Sequence, residues 1–183
     1  LNPYRAKQST PVLAANHVAN QHPDWTFISG TLTMLNPGLP EVLNHIVKVI
    51  GDIANRYQVD GIHFDDYFYP YAGMTGQDAA TFTNHNPTNI ATIEDWRRNN
   101  VNQLVAMVYD TLQKVNAAQN KNIVFGISPF GIWKSGTPAG ITGTSSYSQF
   151  YCDPIAWLQA GTVDYLSPQL YWKITGAQDY DKL

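Results

Sequence analysis

Three times along this chain a helical pattern is followed, within a few residues, by a short β-prone run. From Pro40, residues Leu43, Ile46, Val47, Ile50, Ile53 and Ala54 fall at i, i+3, i+4, i+7, i+10 and i+11, the stripe of an amphipathic helix ending near Tyr57, and "VDGIHF" follows from Val59. A second helix starts near Glu94 or Asp95, whose carboxylates suit a helix amino end; it buries Val101, Leu104, Val105, Val108, Leu112 and Val115 and precedes "NIVFGIS". A third, "DPIAWLQAG", has Gly161 as its natural stop and precedes "VDYLSPQLYW". Strands joined through helices lie parallel with right-handed crossovers, so the order predicts an α/β fold built on a parallel sheet.

Each of these strands ends in a polar and aromatic cluster: "HFDDYFYP", "ISPFGIW", "SPQLYW". Clusters at the carboxyl ends of successive parallel strands are the signature of a (β/α)8 barrel, whose site is assembled at that face. A doubly wound nucleotide-binding sheet requires a glycine-rich fingerprint, and neither GxGxxG nor GxxxxGK[ST] occurs. A full barrel needs about 250 residues and eight βα units. With 183 residues and roughly four recognisable strands, the chain reads as one partial TIM barrel covering about the middle four units. "LNPYR" is expected to be the tail of an earlier strand, residues 6–38 mostly connection, residues 134–148 a loop, and residues 71–93 a long loop on the active face.

Charge narrows the partners. A net charge of −3, with no basic cluster larger than Arg97-Arg98, excludes a nucleic-acid footprint. No apolar run approaches the roughly 20 residues that span a bilayer, and the first residues carry no signal-peptide pattern. The single cysteine, Cys152, excludes an internal disulfide and reads as packed.

Adjacent carboxylates at the end of a buried strand need an explanation, because burying an unpaired one costs several kcal/mol or forces it to take up a proton. They cap a turn or do chemistry. Strand alternation places Ile62 and Phe64 on the helix-covered face and Gly61, His63 and Asp65 on the interior face, so Asp65 and Asp66 cannot both point at one spot. Asp65 is therefore the expected reacting carboxylate, with His63 below it and Asp66 at the rim. Tyr67, Phe68 and Tyr69 follow the pair, and Trp133, Tyr171 and Trp172 share its end of the sheet. Aromatic faces beside carboxylates suit a sugar, whose C–H faces stack on rings while the carboxylates serve as acid, base or nucleophile.

"VDGIHFDDYFYP", "DWRRNNVN", "GISPFGIW" and "DYLSPQLYW" resemble, in that order, the bacterial glycosyl-hydrolase-like 10 family, whose catalytic domain is a TIM barrel. The resemblance implies hydrolysis of O-glycosidic bonds in an extracytoplasmic bacterial protein, with cell-wall glycan or another polysaccharide as substrate. It places Asp65 and Asp66 in the motif that holds the catalytic acid, Ser128 and Trp133 on the next strand, and Gln169, Tyr171 and Trp172 on the one after. With His63, Tyr67 and Tyr69 these form the expected substrate-binding set.

Two-carboxylate hydrolysis needs a partner about 5–5.5 Å from Asp65 for retention, or about 6.5–9.5 Å for inversion. Glu94 and Asp95 read as a helix start, Asp153 as the first turn of another helix, and Asp164 lies at the wrong end of its strand. The partner is expected from strands outside this chain or from the long loop, where Asp78 is the one acidic residue. Arg97 and Arg98 read as solvated helix residues. His17, His22, His45 and His85 lack ligand spacing and read as loop or surface residues, and no cofactor is expected. Two other classes stay open: a glycan-binding barrel without catalysis, and a metal-dependent hydrolase built on His63, Asp65 and Asp66.

Overall fold

The computed structural model describes residues 1–8 and 12–183. It is a mixed α/β fold with two small sheets among the described residues. The first is antiparallel, ordered β1-β3-β2, from β1 (Arg5–Gln8), β2 (Thr26–Ser29) and β3 (Leu32–Leu35), with a short helix α1 (Val18–Gln21) between the first two strands. Gly30, at φ +59°, makes the two-residue connection between β2 and β3, a left-handed backbone that glycine adopts without a Cβ penalty.

The alternating region follows. Helix α2 (Pro40–Arg56) buries Val42, Leu43, Ile46, Ile50 and Ala54 and leads into β4 (Gly61–Phe64). A short helix α3 (Ala79–Asn84) precedes α4 (Ile93–Gln119). Thr92 caps α4 by accepting the Asp95 backbone N–H at 3.1 Å, and the helix ends at Asn120 in the left-handed region. Strand β5 (Val124–Ile127), helix α5 (Ser146–Gln149), helix α6 (Pro154–Ala160) and strand β6 (Tyr165–Leu166) complete the order. Asp153 caps α6 through the Ala156 N–H, and Gly161 at φ +65° stops it.

The second sheet is parallel, ordered β4-β5-β6. Its covered face carries Ile62 and Phe64 from β4 and Phe125 and Ile127 from β5, all in one buried cluster with Leu104, Val105, Val108 and Leu112 of α4. Helix α2 packs alongside α4. On the free side of β4, the Leu1 carbonyl accepts the Asp65 N–H at 2.8 Å and the Leu1 nitrogen donates to the His63 carbonyl at 2.8 Å. The start of the chain thus runs beside β4, as a strand tail would.

Three segments differ from the sequence expectation, and the expected loop 134–148 is one of them, since α5 starts within it at Ser146. Residues 6–38 contain a hairpin and its third strand, since runs of four residues are too short for alternation to separate from loop. Residues 71–93 contain α3, six residues without an apolar stripe, held instead by tertiary contacts to α4.

Candidate functional site

The free face of the parallel sheet is built in rows. Register pairs His63 with Gly126 and Gly126 with Tyr165. A Cβ at Gly126 would overlap the Tyr165 ring, so the missing side chain lets that ring lie across β5. Its hydroxyl meets His63 Nδ1 at 2.9 Å, while His63 Nε2 meets Ser128 Oγ at 2.7 Å. Both imidazole nitrogens are engaged, which fixes the plane of the ring.

Asp65 stands one row above, at the carboxyl end of β4. Its Oδ1 accepts from Gln169 Nε2 at 2.9 Å and from the Asp66 backbone N–H at 3.0 Å. Gln169 is itself anchored, donating to the Ser128 carbonyl at 3.1 Å and pairing across a bridge with Phe130. An open cleft of about 450 Å³ lies over this point, lined by His63, Asp65, Tyr67, Ser128, Gln169 and Tyr171. Tyr171 is 85% exposed there, an aromatic side chain presented to solvent.

Asp66 is buried, not at the rim: it retains 1% of its surface. The chain turns inward after β4, so that Asp66, Phe68 and Tyr69 are buried while Asp65 stays partly exposed and lines the cleft. Tyr71 donates its hydroxyl to Asp66 Oδ2, and Asp66 Oδ1 has no hydrogen-bond partner among the described residues. Burial pushes the Asp66 carboxyl above the ordinary carboxylate range, with the neighbouring Asp65 charge adding to the rise and the Tyr71 bond opposing it. Burial and the same contact push the Tyr71 phenol up. Cys152 is buried nearby, its thiol raised by burial and by the Asp66 charge, which makes it an inert packed cysteine.

Of the remaining residues expected at the site, three lie elsewhere. Tyr69 is wholly buried, edge-on to Tyr151 at 5.0 Å between ring centroids. Trp133 is absent from the cleft wall; its indole donates to Asp153 at 3.0 Å and Lys134 Nζ sits 4.2 Å from its ring centroid. Trp172 packs edge-on against Phe130 at 5.7 Å and covers Gly131 instead of lining the cleft. Sequence reading did not identify Tyr165 or Tyr71. Alternation from Ser167 back to Tyr165 on the face of Gln169 carried the signal for the first, whereas nothing in the loop sequence marked the second.

Asp78 is removed as a partner carboxylate. It is fully buried in a two-point ion pair with Arg97, Nε to Oδ2 at 2.8 Å and Nη2 to Oδ1 at 2.6 Å, and Arg97 Nη1 also donates to the Tyr151 hydroxyl at 2.8 Å. Arg97 is therefore a core residue, not a solvated one. Burial disfavours its charge, and the paired carboxylate more than offsets that. Asp164 accepts the Phe125 N–H at 2.6 Å at the opposite end of the sheet, and Asp95 is held by Arg98 at 2.6 Å. His17, His22 and His45 gather around Trp25, yet no three His, Cys, Asp or Glu side chains converge to hold a metal ion among the described residues. Nor is any described helix long and apolar enough to cross a membrane.

The sequence matches the family described as Glycosyl hydrolase-like 10 over residues 6–183. It is 39% identical over 193 aligned positions to "Glycosyl hydrolase YngK" of Bacillus subtilis (strain 168), a match covering 100% of this chain and 37% of that protein. It is 38% identical over 169 positions to "Glycosyl hydrolase DigH" of Escherichia coli (strain K12), covering 89% of this chain and 37% of that protein. The chain thus spans 37% of the length of these relatives. A match running through the whole alternating region, with two relatives both named as glycosyl hydrolases, leads to one conclusion: the chain belongs to the glycosyl hydrolase-like 10 family.

Proposed function

We propose that this chain carries part of the active face of a glycoside hydrolase, with Asp65 as the carboxylate that meets the glycosidic bond. The observation that carries this reading is the contrast within the Asp65-Asp66 pair. Asp65 is held by Gln169 and open to an aromatic-edged cleft, while Asp66 is buried against Tyr71 with its carboxyl pushed toward the neutral form. Neighbouring carboxyls in different environments are how such sites divide acid and base roles. Asp66 does not face the cleft, so its role in this reading is to set the field at Asp65.

The substrate in this reading is a polysaccharide, bacterial cell-wall glycan foremost, and the protein acts outside the cytoplasmic membrane. Bacterial relatives named as glycosyl hydrolases support a carbohydrate substrate. His63, Tyr67, Ser128, Gln169 and Tyr171 are the substrate-side groups. The parallel β4-β5-β6 sheet, with site residues at its carboxyl ends, is proposed as consecutive strands near the middle of a (β/α)8 barrel, residues 71–93 belonging to its active face. The carboxylate opposite Asp65 would come from the part of the protein outside this chain.

A second reading has its own support: among the described residues, Asp78, Asp153 and Asp164 are held by bonds elsewhere and do not face Asp65, which fits a barrel that binds glycan without cutting it. Incubating the intact protein with purified cell-wall glycan and measuring new reducing ends separates the two. Release that survives chelator supports carboxylate catalysis. Binding without release supports the non-catalytic alternative, and release abolished by chelator supports a metal-dependent hydrolase.

A further inference from the structure

Helices α2, α3 and α4 enclose a pocket of about 400 Å³ that shares no residue with the Asp65 cleft. Part of its lining is buried and apolar: Pro37, Gly38, Leu43 and Trp96, with Gly38 so close that a Cβ there would overlap the Trp96 ring. Asn44 of α2, Asn84 at the end of α3, and Asn99 and Gln103, one turn apart on α4, bring four side-chain amides to the same space. None of these four amides is hydrogen-bonded to another described residue, and among the described residues no Asp, Glu, Lys or Arg lines the pocket.

The walls are fixed without those amides. The Trp96 indole donates to the His85 carbonyl at 2.9 Å, and Asn36 ties the turn before α2 to Thr81 of α3 at 2.8 Å. Asn86 closes its own loop by pairing with both backbone groups of Ile90 at 2.9 Å. The "DWRRNNVN" run divides in the same way: Arg97 holds Asp78 and Asn102 accepts the Trp157 indole, whereas Asn99 faces a space with nothing in it to bond.

We propose that this pocket is a second glycan-binding site, separate from the Asp65 cleft, which takes an uncharged sugar unit through its hydroxyl and acetamido groups. The choice of a sugar rests on the hydrolase reading; the choice of an uncharged one rests on the lining. A carboxamide offers an acceptor and two donors side by side, so it answers hydroxyls and other amides, which both donate and accept. An ionic group entering here would lose hydration without meeting a counter-charge. The volume falls within the range of small-ligand sites, about 300–1,000 Å³, and walls already in place reduce the ordering cost of binding. Residues 83–88 of the lining belong to the segment 71–93 that the hydrolase reading puts on the active face, so a polymer anchored here raises its own effective concentration at Asp65.

The test is calorimetric titration of the intact protein with a tetrasaccharide of N-acetylglucosamine, which carries hydroxyl and acetamido groups and no charge. The unaltered protein is expected to bind it at a site insensitive to salt. Asn99→Ala combined with Gln103→Ala is expected to weaken that site at least about tenfold, and Tyr171→Ala in the cleft to leave it intact. Alanine is a strong helix former, so α4 tolerates the double change. A crystal structure of the unaltered protein with the tetrasaccharide needs no substitution and is expected to show a sugar ring beside Asn99 and Gln103. No binding, binding unchanged in the folded double variant, or sugar confined to the Asp65 cleft overturns the site. Tighter binding of an uncharged, end-blocked dipeptide overturns the assignment to a sugar. Reducing-end release without occupancy of this pocket overturns the pocket and leaves the hydrolase, whereas occupancy without release overturns the hydrolase and leaves the pocket.

Discussion

Gln169 reaches across β5 from the far strand to place its amide nitrogen 2.9 Å from Asp65 Oδ1, with the Ser128 carbonyl 3.1 Å away as its second anchor. The two residues are 104 positions apart in sequence, so the orientation of Asp65 depends on correct assembly of all three parallel strands. Gln169→Ala is expected to lower kcat by about 10²-fold with a smaller change in KM, since misplacing a reacting group costs orientation more than affinity. Steady-state kinetics on the intact protein check this. An unchanged kcat would show that Asp65 is positioned by other contacts.

The row His63-Gly126-Tyr165 makes a steric prediction. Gly126→Ala puts a methyl group into the Tyr165 ring and is expected to destabilise the fold by about 1–3 kcal/mol. Tyr165→Phe removes only the hydroxyl that His63 Nδ1 meets and is expected to cost about 0.5–1.5 kcal/mol. Denaturant titrations of the two variants give the comparison. Equal, near-zero effects would mean the ring does not lie across β5.

Asp66 sets a pH dependence whose sign is fixed. Its folded carboxyl is raised above the ordinary value, so the stability it contributes is full at low pH and is lost as pH rises through the raised value. Asp66→Asn keeps the shape and removes the titration. The variant is expected to gain stability relative to the parent from the ordinary carboxylate range upward, levelling off above the raised value. Tyr71→Phe deletes the bond that favours the charged form and is expected to extend the upper end of this window to higher pH. Stability curves for the three proteins across pH decide it; parallel curves would contradict the assignment.

The Arg97-Asp78 pair is a structural element, not a catalytic one. Removing one partner leaves a buried charge, so Asp78→Ala is expected to cost about 3–5 kcal/mol, and replacing both with apolar residues of similar size is expected to recover most of that. Chemical unfolding of the single and double variants measures the coupling. Loss of activity in a fully folded Asp78→Ala protein would return Asp78 to the site.

The sequence showed most where patterns were long. Helices α2 and α4 follow from apolar spacing, the three parallel strands from β-prone runs placed just after helical patterns, and alternation puts His63 and Asp65 on one face with Ile62 and Phe64 on the other. Asp66 departs from the expected rim position because alternation holds only as far as Phe64, where the strand ends and the chain turns inward. Tyr69 and Trp133 share an end of the sheet with Asp65, yet proximity in sequence does not fix direction once the backbone leaves the strand. Arg97 reads as solvated because nothing local reveals a partner 19 residues upstream in a loop.

Asp65→Asn tests the central claim most directly. In the intact protein, reducing-end release from cell-wall glycan and glycan affinity are measured side by side for parent and variant. Turnover is expected to fall at least about 10³-fold, with affinity changed by less than about threefold, as when a group acts in the transition state more than in binding. Turnover close to that of the parent in Asp65→Asn would contradict it.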